Sequence, residues 1–371
     1  MRLTLVIASV GSGGAERVMS LMANHWAAKS WSVTLITLSG TDTDFYPLDA
    51  RVQRVGLDMM GHSRGIWDRL WYSAKRVRVL RQAIGASRPQ VVISFIEQMN
   101  ILVLLAGVGQ SWPVVVSERT DPRQYAVGRL TNILRRWLYP RAAAVVVQTP
   151  SVAQWALMFL PPAKVRVVAN PLSPLEVVNA APAVTWLKPQ KKHLLAVGQL
   201  YPVKGFDLLL KAFAYVAPRH PQWNLVILGE GSERHTLTQL AQDLGIETRV
   251  IFPGKVSPIA AYYPLFDGFV LSSRFEGFPN ALLEAMSHGL PVVSFACDSG
   301  PADIITHGQD GLLVPPQDIS AMGQALDTLM GDAALRQRLG EQAAQVNTRY
   351  ALSVIMAQWE ALLAQVTQEN K

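Results

Sequence analysis

The sequence contains a single cysteine, Cys297, among its 371 residues, and few of its side chains are charged. One thiol excludes an intramolecular disulfide and a zinc site built from several cysteines, and it is typical of a reducing compartment. Charged residues make up 16% and apolar residues 50% of the chain, whereas Gly and Pro occur at ordinary frequencies. This composition excludes disordered, collagen-like and low-complexity proteins and predicts a packed globular one.

Long apolar runs are missing as well. The apolar run at 3–8 is too short for the hydrophobic region of a secretory signal peptide, so we expect a cytoplasmic protein. The uncharged windows 98–117 and 142–163 approach the ~20 residues that a membrane-spanning helix needs, but polar residues and proline interrupt both. We interpret each window as a buried helix next to a strand.

Basic residues are concentrated in the first half of the chain. Residues 1–186 hold 20 Lys and Arg against 10 Asp and Glu, whereas residues 187–371 hold 14 against 17. The first half therefore predicts an anionic partner, either a membrane surface, a phosphorylated substrate or nucleic acid. Nucleic-acid-binding motifs are missing, so we do not expect nucleic acid.

Two segments carry most of this positive charge. Residues 64–88 combine arginines and lysine with apolar residues at helical spacing, which predicts a basic amphipathic helix. Such a helix either lies against lipid headgroups or packs through its apolar stripe with solvated arginines, and both interpretations stay open. The second cluster consists of Arg119, Arg123, Arg129, Arg135, Arg136 and Arg141, with Asp121 as the opposing acid.

Short β-branched runs alternate with helix-length segments throughout the chain. This rhythm predicts an α/β protein with parallel sheets covered on both faces, and the length predicts two such doubly wound, Rossmann-like domains facing each other across a cleft. We place the first domain at 1–170, a linker rich in Pro, Ala and Val at 171–189, the second domain at 190–348 and a final helical segment at 349–371. The predicted strands are 3–8, 33–38, 91–96, 114–116, 144–148, 193–198, 225–229, 249–254, 268–273 and 291–296.

The loop after the first strand is rich in glycine. Ligands of open parallel sheets bind beyond the carboxyl ends of the strands. The loop 11–16, which includes Gly13 and Gly14, opens a helix, so its exposed amides could receive an anion there. A nicotinamide dinucleotide fits poorly, because its G-x-G-x-x-G pattern would need glycine where Glu16 stands. Close approach to a phosphate or a sugar and a tight turn without a ligand both remain open.

A denser group of polar residues follows the strand at 268–273. Pro279 suits a first helical turn, so the amides after it would lie at the positive end of the helix dipole, where a phosphate fits. Glu276 precedes this helix and Glu284 lies inside it, so the two carboxylates would reach different parts of a ligand. The competing interpretation is a capped helix with two surface glutamates. The amides concerned belong to Asn280, Ala281 and Leu282.

Further loops reach the same sheet edge. The loop 198–205 carries Lys204, which can neutralise a diphosphate as a point charge, and the loops 229–233 and 307–314 supply glycines. The 42–44 segment, Asp-Thr-Asp, has the spacing of a metal-binding pair, but it lies in a polar loop that we interpret as solvated. His residues at H-E-x-x-H spacing are missing too, so we expect no metal and no other cofactor.

Taken together, these motifs resemble the retaining family-four nucleotide-sugar glycosyltransferases of the GT-B fold, along essentially the whole chain. The resemblance is carried by Glu276 and Glu284 with seven residues between them, the GEGSE loop, the Lys204–Gly205 pair and the HGQDGLLV segment. The SGGAER opening and the SERTDP segment (117–122) look most like enzymes that extend saccharides on polyprenyl-diphosphate carriers, such as the N-acetylgalactosaminyltransferases of bacterial N-glycosylation.

The resemblance implies a donor site in the second domain. Glu276 would hydrogen-bond the donor sugar and Lys204 the diphosphate, and these two residues would carry catalysis. Glu284 would contact the nucleotide ribose. Gln199 would also bind the donor, at a position where the family usually has an arginine. The backbone after Phe278 would hold the sugar and the β-phosphate, which adds Phe278, Pro279, Asn280, Ala281 and Leu282 to the donor-binding residues. From the first domain, we expect Gly13 and Gly14 of the glycine-rich loop to contact the donor as well.

The resemblance also implies an acceptor site in the first domain. Glu118 or Arg119 would contact sugar, although many members have histidine where Arg119 stands. In the second domain, Asp303 replaces a more frequent glutamate. The basic helix would contact the carrier diphosphate through Arg69, Lys75 and Arg76. The final helix would pack back on the first domain.

The implied activity is transfer of a sugar, UDP-linked, to a polyprenyl-diphosphate-linked saccharide with retention at the anomeric carbon. Preorganised amides and a lysine would stabilise the negative charge on the leaving diphosphate, without a metal. The protein would be peripherally associated with the cytoplasmic face of the inner membrane. The alternatives are a GDP-sugar donor, a soluble acceptor and a non-catalytic membrane-associated scaffold.

Overall fold

The computed structural model describes residues 1–61, 66–124, 128–173 and 184–369. The chain forms two compact units, one comprising Met1–Pro171 with Ser353–Lys371 and the other comprising Leu172–Leu352. Residues 174–183 of the expected linker lie outside the described residues.

The first unit is built on a parallel sheet of seven strands with the order β3-β2-β1-β4-β5-β6-β7. Every residue of its central strands β4 and β5 is buried, as expected where helices cover both faces of a parallel sheet. The strands are β1 (Arg2–Ile7), β2 (Ser32–Thr37), β3 (Gln53–Gly56), β4 (Val91–Phe95), β5 (Val114–Ser117), β6 (Ala144–Val147) and β7 (Val165–Val167).

Helices connect these strands. The two uncharged windows are helices beside strands, as predicted: α3 precedes β5, and α5 follows β6. Within the described ranges, every helix is too short or too polar to span a lipid bilayer. The helices are α1 (Gly14–Ala28), α2 (Ile66–Ala86), α3 (Glu97–Ala106), α4 (Arg129–Leu138) and α5 (Pro150–Leu157).

The second unit repeats the plan with six parallel strands in the order β10-β9-β8-β11-β12-β13. Its strands are β8 (Lys192–Val197), β9 (Trp223–Leu228), β10 (Val250–Gly254), β11 (Gly268–Leu271), β12 (Val292–Phe295) and β13 (Leu312–Val314). Its helices are α6 (Phe206–Val216), α7 (Arg234–Asp243), α8 (Asn280–Ser287), α9 (Pro301–Ile304), α10 (Ile319–Gly331), α11 (Ala333–Ala343) and α12 (Val346–Arg349). The predicted α/β fold with two doubly wound sheets is confirmed.

The last helix, α13 (Leu352–Glu369), packs on the first unit. Trp359 is buried, and its ring centroid lies 6.3 Å from that of Phe95 at the end of β4. Beside it, Glu360 accepts a hydrogen bond of 2.7 Å from the Lys29 ammonium. The helix thus contributes both core packing and an ion pair to that unit.

Each sheet reverses its strand order once. In the first sheet the reversal lies between β1 and β4, and in the second between β8 and β11. The loops after these strands open at such a switch point, where open α/β sheets bind ligands. Lys204 follows β8 and Glu276 follows β11, so the topology brings them to one place.

Three short strands differ from the prediction. β3, β7 and β13 were not expected, and β13 lies within the HGQDGLLV segment, which we interpreted as a loop. All three are terminal strands of their sheets. Terminal strands need less apolar sequence than central ones, because one of their edges has no strand beside it.

Candidate active site

Lys204 and Glu276 form an ion pair at the switch point of the second sheet. The lysine Nζ lies 2.7 Å from the glutamate Oε1, and the Ser273 hydroxyl donates to the same oxygen at 2.7 Å. The side chains are 26% and 10% exposed, so both remain reachable from solvent. Two residues that are 72 positions apart in sequence thus form one charged centre.

Glycine allows the two loops to approach closely. Gly205 has φ +62°, in the left-handed region, and a Cβ there would lie 2.1 Å from the Ser272 carbonyl oxygen. The Ser272 hydroxyl in turn donates to the Lys204 carbonyl at 2.9 Å. A residue with a side chain at 205 would force the loops apart, so glycine here fixes the position of Lys204.

An arginine holds the same loops from the other side. Arg274 donates two hydrogen bonds to the Asp207 carboxylate, at 2.8 and 2.7 Å, and its backbone amide donates to the Val203 carbonyl. These hydrogen bonds to Asp207 raise the pKa of Arg274. Our sequence reasoning missed this pair, although a basic residue directly before the Phe-Glu-Gly-Phe-Pro string was a visible signal.

Helix α8 begins beside this centre, at Asn280. Pro279 occupies the N-cap position, one residue before the first turn in which we expected it. Proline has no side-chain acceptor for a cap, and the first amides of any helix lack intrahelical partners. The side chains of Phe278 and Leu282 are buried, with Phe278 packed edge-on against Tyr350, so these two residues can meet a ligand only through their backbone.

Glu284 lies one turn into α8 and is half-buried. Its Oε2 accepts a hydrogen bond of 3.0 Å from the buried Tyr263 hydroxyl, which fixes the orientation of the carboxylate. Cys297 is also close to the ion pair, since its thiol donates to the carbonyl of Ser273 at 3.0 Å. Burial raises the pKa of this thiol to about 12, so it is not a nucleophile at neutral pH.

The other predicted residues of this edge have different environments. Gln199 is exposed in the loop after β8. The glycines of the GEGSE loop allow it to pack closely against the loop after β8. A Cβ on Gly229 would lie 1.9 Å from the Gly198 carbonyl oxygen, and one on Gly231 would lie 2.5 Å from that of Leu200.

In the first unit, α1 begins at Gly14 with Gly13 as its N-cap. The Glu16 carboxylate folds back over this position, since a Cβ on Gly13 would lie 2.2 Å from Glu16 Oε2. Burial raises the pKa of Glu16, while its own amide and Ser9 donate hydrogen bonds to it. The anion position at this helix start therefore holds a carboxylate of the chain itself, and phosphate contact there stays a prediction.

Arg119 is buried at the end of β5. It donates to the Asn170 side-chain oxygen at 2.7 Å, and its guanidinium lies 3.4 Å from the centroid of the Phe95 ring. Its Nε and Nη2 are buried and have no hydrogen-bond partner among the described residues. Buried donors of this kind are rare in native proteins unless a ligand or water satisfies them.

Glu118, the neighbouring residue that we also expected at the acceptor-sugar site, lies in a buried polar cluster. Arg135 of α4 places its Nε 3.1 Å from Glu118 Oε1, and the Tyr139 hydroxyl donates to the same oxygen. Tyr139 also accepts from the Asn100 side-chain amide at 3.1 Å. Burial raises the pKa of Glu118 to about 7, although Arg135 and Tyr139 act in the opposite direction.

The predicted basic helix is α2, and its cations differ in whether they are already hydrogen-bonded within the unit. Arg76 donates to the Met59 carbonyl at 2.7 Å and stacks on Tyr72, whereas Lys75 is exposed and lies 5.3 Å from the centroid of the Trp71 ring. The side chain of Arg69 lies outside the described residues. The acceptor roles of these three residues stay predictions.

The Asp-Thr-Asp segment is held by an ion pair. Asp44 receives two hydrogen bonds of 2.8 Å from Arg54, which lies on β3, so this loop is less free than we expected. Within the described ranges, no group of three His, Cys, Asp or Glu side chains is arranged to hold a metal ion.

Family models match both units. A model described as "Glycosyl transferases group 1" matches residues 180–346, and one described as "Glycosyl transferase 4-like domain" matches residues 13–171. The chain belongs to the glycosyltransferases. The predicted family is thereby confirmed.

Relatives of this glycosyltransferase include a Campylobacter jejuni protein named GalNAc-alpha-(1->4)-GalNAc-alpha-(1->3)-diNAcBac-PP-undecaprenol alpha-1,4-N-acetyl-D-galactosaminyltransferase. The two are 28% identical, over 99% of this chain and 99% of the relative. A Streptomyces coelicolor protein named exopolysaccharide phosphotransferase is 29% identical over 96% of this chain. The glycosyltransferase spans only 40% of the length of that second relative.

Solved structures identify the fold as GT-B. Sucrose-phosphate synthase from Thermosynechococcus elongatus superimposes with a TM-score of 0.85, at 20% identity and 99% coverage of both chains. Anabaena HepE, solved in complex with UDP-glucose, superimposes with a TM-score of 0.76, at 18% identity over 98% of this glycosyltransferase and 99% of HepE.

Proposed function

We propose that the protein transfers a sugar from a UDP-sugar to a polyprenyl-diphosphate-linked saccharide, with retention at the anomeric carbon. The observation that carries this proposal is the ion pair of Lys204 and Glu276, 2.7 Å apart, next to the first turn of α8. A cation, a carboxylate and the amides at the positive end of a helix are the groups that a sugar diphosphate needs. The names of the Campylobacter relative and of the HepE complex support the lipid-linked acceptor and the UDP-linked donor.

The donor step follows from these charges. When the diphosphate binds, its oxygens replace the Glu276 carboxylate as the partner of Lys204, and Glu276 becomes free to accept hydrogen bonds from sugar hydroxyls. As the bond between the anomeric carbon and the phosphate oxygen breaks, negative charge grows on the leaving diphosphate. Lys204 and the first amides of α8 stabilise this charge without reorganising, because the loops already hold them in place.

The acceptor step needs no separate general base. The acceptor hydroxyl bonds to the anomeric carbon on the face from which UDP leaves, and its proton passes to an oxygen of the departing phosphate. Retention follows because attack and departure share one face. Cys297 is excluded as a nucleophile by its buried thiol, and Lys204 already supplies the charge for which other enzymes use a metal ion.

Arg119 supports acceptor binding in the first unit. Its buried Nε and Nη2 are donors that need oxygen partners, which a saccharide hydroxyl or a diphosphate would supply. The excess of basic residues in the first half of the chain supports a peripheral position on an anionic membrane, which we place at its cytoplasmic face.

The test begins with donor binding. Calorimetric titration with UDP-sugars and GDP-sugars should give binding for the uridine series, and incubation with EDTA should not weaken it. Binding of GDP-sugars alone would contradict the proposed donor.

Turnover is then measured with a polyprenyl-diphosphate-linked saccharide, and the product linkage is read by NMR. Glu276→Ala and Lys204→Ala should each lower kcat by at least 100-fold, whereas the control Lys211→Ala, an exposed lysine of the same unit, should not. An inverted linkage, or full activity in both site variants, would overturn the proposal.

A further inference from the structure

Helix α4 presents apolar side chains to the solvent. Leu130, Ile133 and Trp137 are 68%, 54% and 69% exposed, and their spacing of three and four places them on one side of the helix. We call these three residues the apolar ridge. The opposite side of the helix holds Arg135, which is 1% exposed, and the buried Leu138. The helix therefore turns an arginine inward and three large apolar side chains outward, the reverse of an ordinary surface helix.

A basic cavity lies beside the apolar ridge. Arg129 and Arg136 are exposed on the neighbouring side of α4 and line it together with Trp155 of α5. The cavity has a volume of about 370 Å³, enough for a phosphate headgroup. Its remaining lining residues are Pro122, Asn132 and Ile133.

Two acids oppose these arginines, and both are already paired. Asp121 pairs with Arg123, and the buried Glu118 pairs with Arg135. The segment that follows them adds no further acid. Between residues 122 and 175 there are seven Arg and Lys and no Asp or Glu. An anionic surface that approaches α4 would therefore meet cations contributed by this segment and no carboxylate from it. A neutral protein partner would make no use of this one-sided charge.

We propose that α4 docks the protein on an anionic lipid bilayer. The apolar ridge enters the boundary between headgroups and acyl chains, with the Trp137 indole at headgroup level, while Arg129 and Arg136 bind lipid phosphates. This inference deepens the proposed function and rests on it for the lipid-linked nature of the acceptor.

The same observations favour α4 over α2 as the docking element. On α2, the guanidinium of Arg81 donates a hydrogen bond of 2.9 Å to the Ala106 carbonyl, and that of Arg76 donates to the Met59 carbonyl. Trp71 is exposed but is covered on one side by the Lys75 ammonium. Two arginines of α2 are therefore already hydrogen-bonded within their own unit, whereas the apolar ridge of α4 contacts solvent.

Vesicle co-sedimentation tests the docking surface. Trp137→Ser and Ile133→Ser should each weaken binding to phosphatidylcholine vesicles containing phosphatidylglycerol at least tenfold. The matched control Trp71→Ser removes an equally exposed tryptophan from α2 and should bind within twofold of the wild type. Arg129→Gln with Arg136→Gln should flatten the salt dependence of binding. Wild-type binding by Trp137→Ser, or loss of binding by Trp71→Ser, would overturn the inference.

Two further measurements separate this inference from its alternatives. Sedimentation velocity without vesicles reveals whether the apolar ridge joins two copies of the chain, and a wild-type dimer that Trp137→Ser dissociates would overturn the inference. Turnover of a short-chain, water-soluble acceptor should be unchanged in Trp137→Ser, while turnover of a long-chain acceptor in vesicles should fall. If the wild type turns over neither acceptor, the proposed function fails while vesicle binding still decides the docking surface.

Discussion

At the residue scale, Lys204 and Glu276 neutralise each other as an ion pair. In the proposed donor site the carboxylate would compete with the donor diphosphate for the lysine, so we expect the resting pair to weaken nucleotide binding. The pair is partly exposed, which limits its strength to about 1 kcal/mol.

Glu276→Gln should therefore tighten UDP binding by roughly fivefold, because 1.4 kcal/mol corresponds to about a tenfold change. Turnover should fall at the same time, since the amide is a weaker partner for sugar hydroxyls. Calorimetric titration with UDP measures the first effect. In the double variant Lys204→Gln with Glu276→Gln the tightening should disappear, and weaker UDP binding by Glu276→Gln alone would refute the competition.

Gly205 offers a second test at this scale. Gly205→Ala should cost roughly 2 kcal/mol or more of unfolding free energy, because the left-handed backbone is strained and the new Cβ meets the Ser272 carbonyl. Gly245 is the control, since its φ of +66° is similar but no atom lies within 4 Å of the place that an alanine methyl group would take. Urea unfolding of both variants isolates the steric contribution, and equal losses would show that the loop contact is unimportant.

Sequence reasoning found most of these residues singly but not their contacts. Lys204, Gly205 and Glu276 stand in recognisable motifs, so their place at one sheet edge could be predicted. The ion pair itself, and the bond between Arg274 and Asp207, depend on which strands are neighbours. Strand order is a property of the folded chain, and a local pattern does not contain it.

At the element scale, α4 is anchored by the buried cluster of Glu118, Arg135 and Tyr139. The pKa of Glu118 is about 7 in the folded protein, above the 4.5 of an ordinary glutamate. Between these values the folded state keeps a proton that the unfolded chain releases, so rising pH favours unfolding. The contribution of Glu118 to the free energy of unfolding is fully present below pH 4.5 and is lost as the pH rises through 7.

The loss amounts to roughly 3–4 kcal/mol at most, at about 1.4 kcal/mol per pH unit between 4.5 and about 7. Glu118→Gln removes the titrating group, so the unfolding free energy of the wild type minus that of the variant should fall between pH 5 and pH 8. Urea unfolding at both pH values measures it. Replacing the exposed Glu247 by Gln is the control, and a constant or rising difference for Glu118→Gln would contradict the assignment.

The elements themselves were predicted unevenly. The central strands were visible because β4 and β5 are almost entirely β-branched and apolar. β3 reads Gln-Arg-Val-Gly and β7 reads Val-Arg-Val, patterns that a loop could equally have. The inward arginine of α4 also escaped prediction, since its ten-residue sequence gives no sign of which side faces a buried glutamate.

At the scale of the whole molecule, the first unit is built from two separate parts of the chain. Trp359 of α13 fills its core next to Phe95, so Trp359→Ala should cost about 3–5 kcal/mol of that unit's unfolding free energy. Val354→Ala is the matched control, because Val354 lies on the same helix and is exposed.

UDP distinguishes the two units in the same experiment. Because the proposed donor residues Lys204, Glu276 and Glu284 all belong to the second unit, UDP should raise the unfolding temperature of that unit. In Trp359→Ala, scanning calorimetry should show a lowered transition for the first unit and an unchanged UDP shift for the second. Loss of the UDP shift in this variant would place part of the nucleotide site on the first unit.

The doubly wound plan of both units could be predicted from the sequence, because strands alternate with helices and parallel crossovers are right-handed. The membership of α13 was implied only by family resemblance. Its own sequence is amphipathic, and an amphipathic helix can cover either sheet.

The return of α13 also orders events during biosynthesis. A ribosome releases the strands of the first sheet early, but the helix that covers Phe95 emerges only after the entire second unit has been translated. Until then the nascent first sheet exposes an apolar surface, which chaperones would have to shield. A fragment that stops at Pro171 would keep that surface exposed permanently, whereas a circularly permuted chain that begins with α13 would remove the delay.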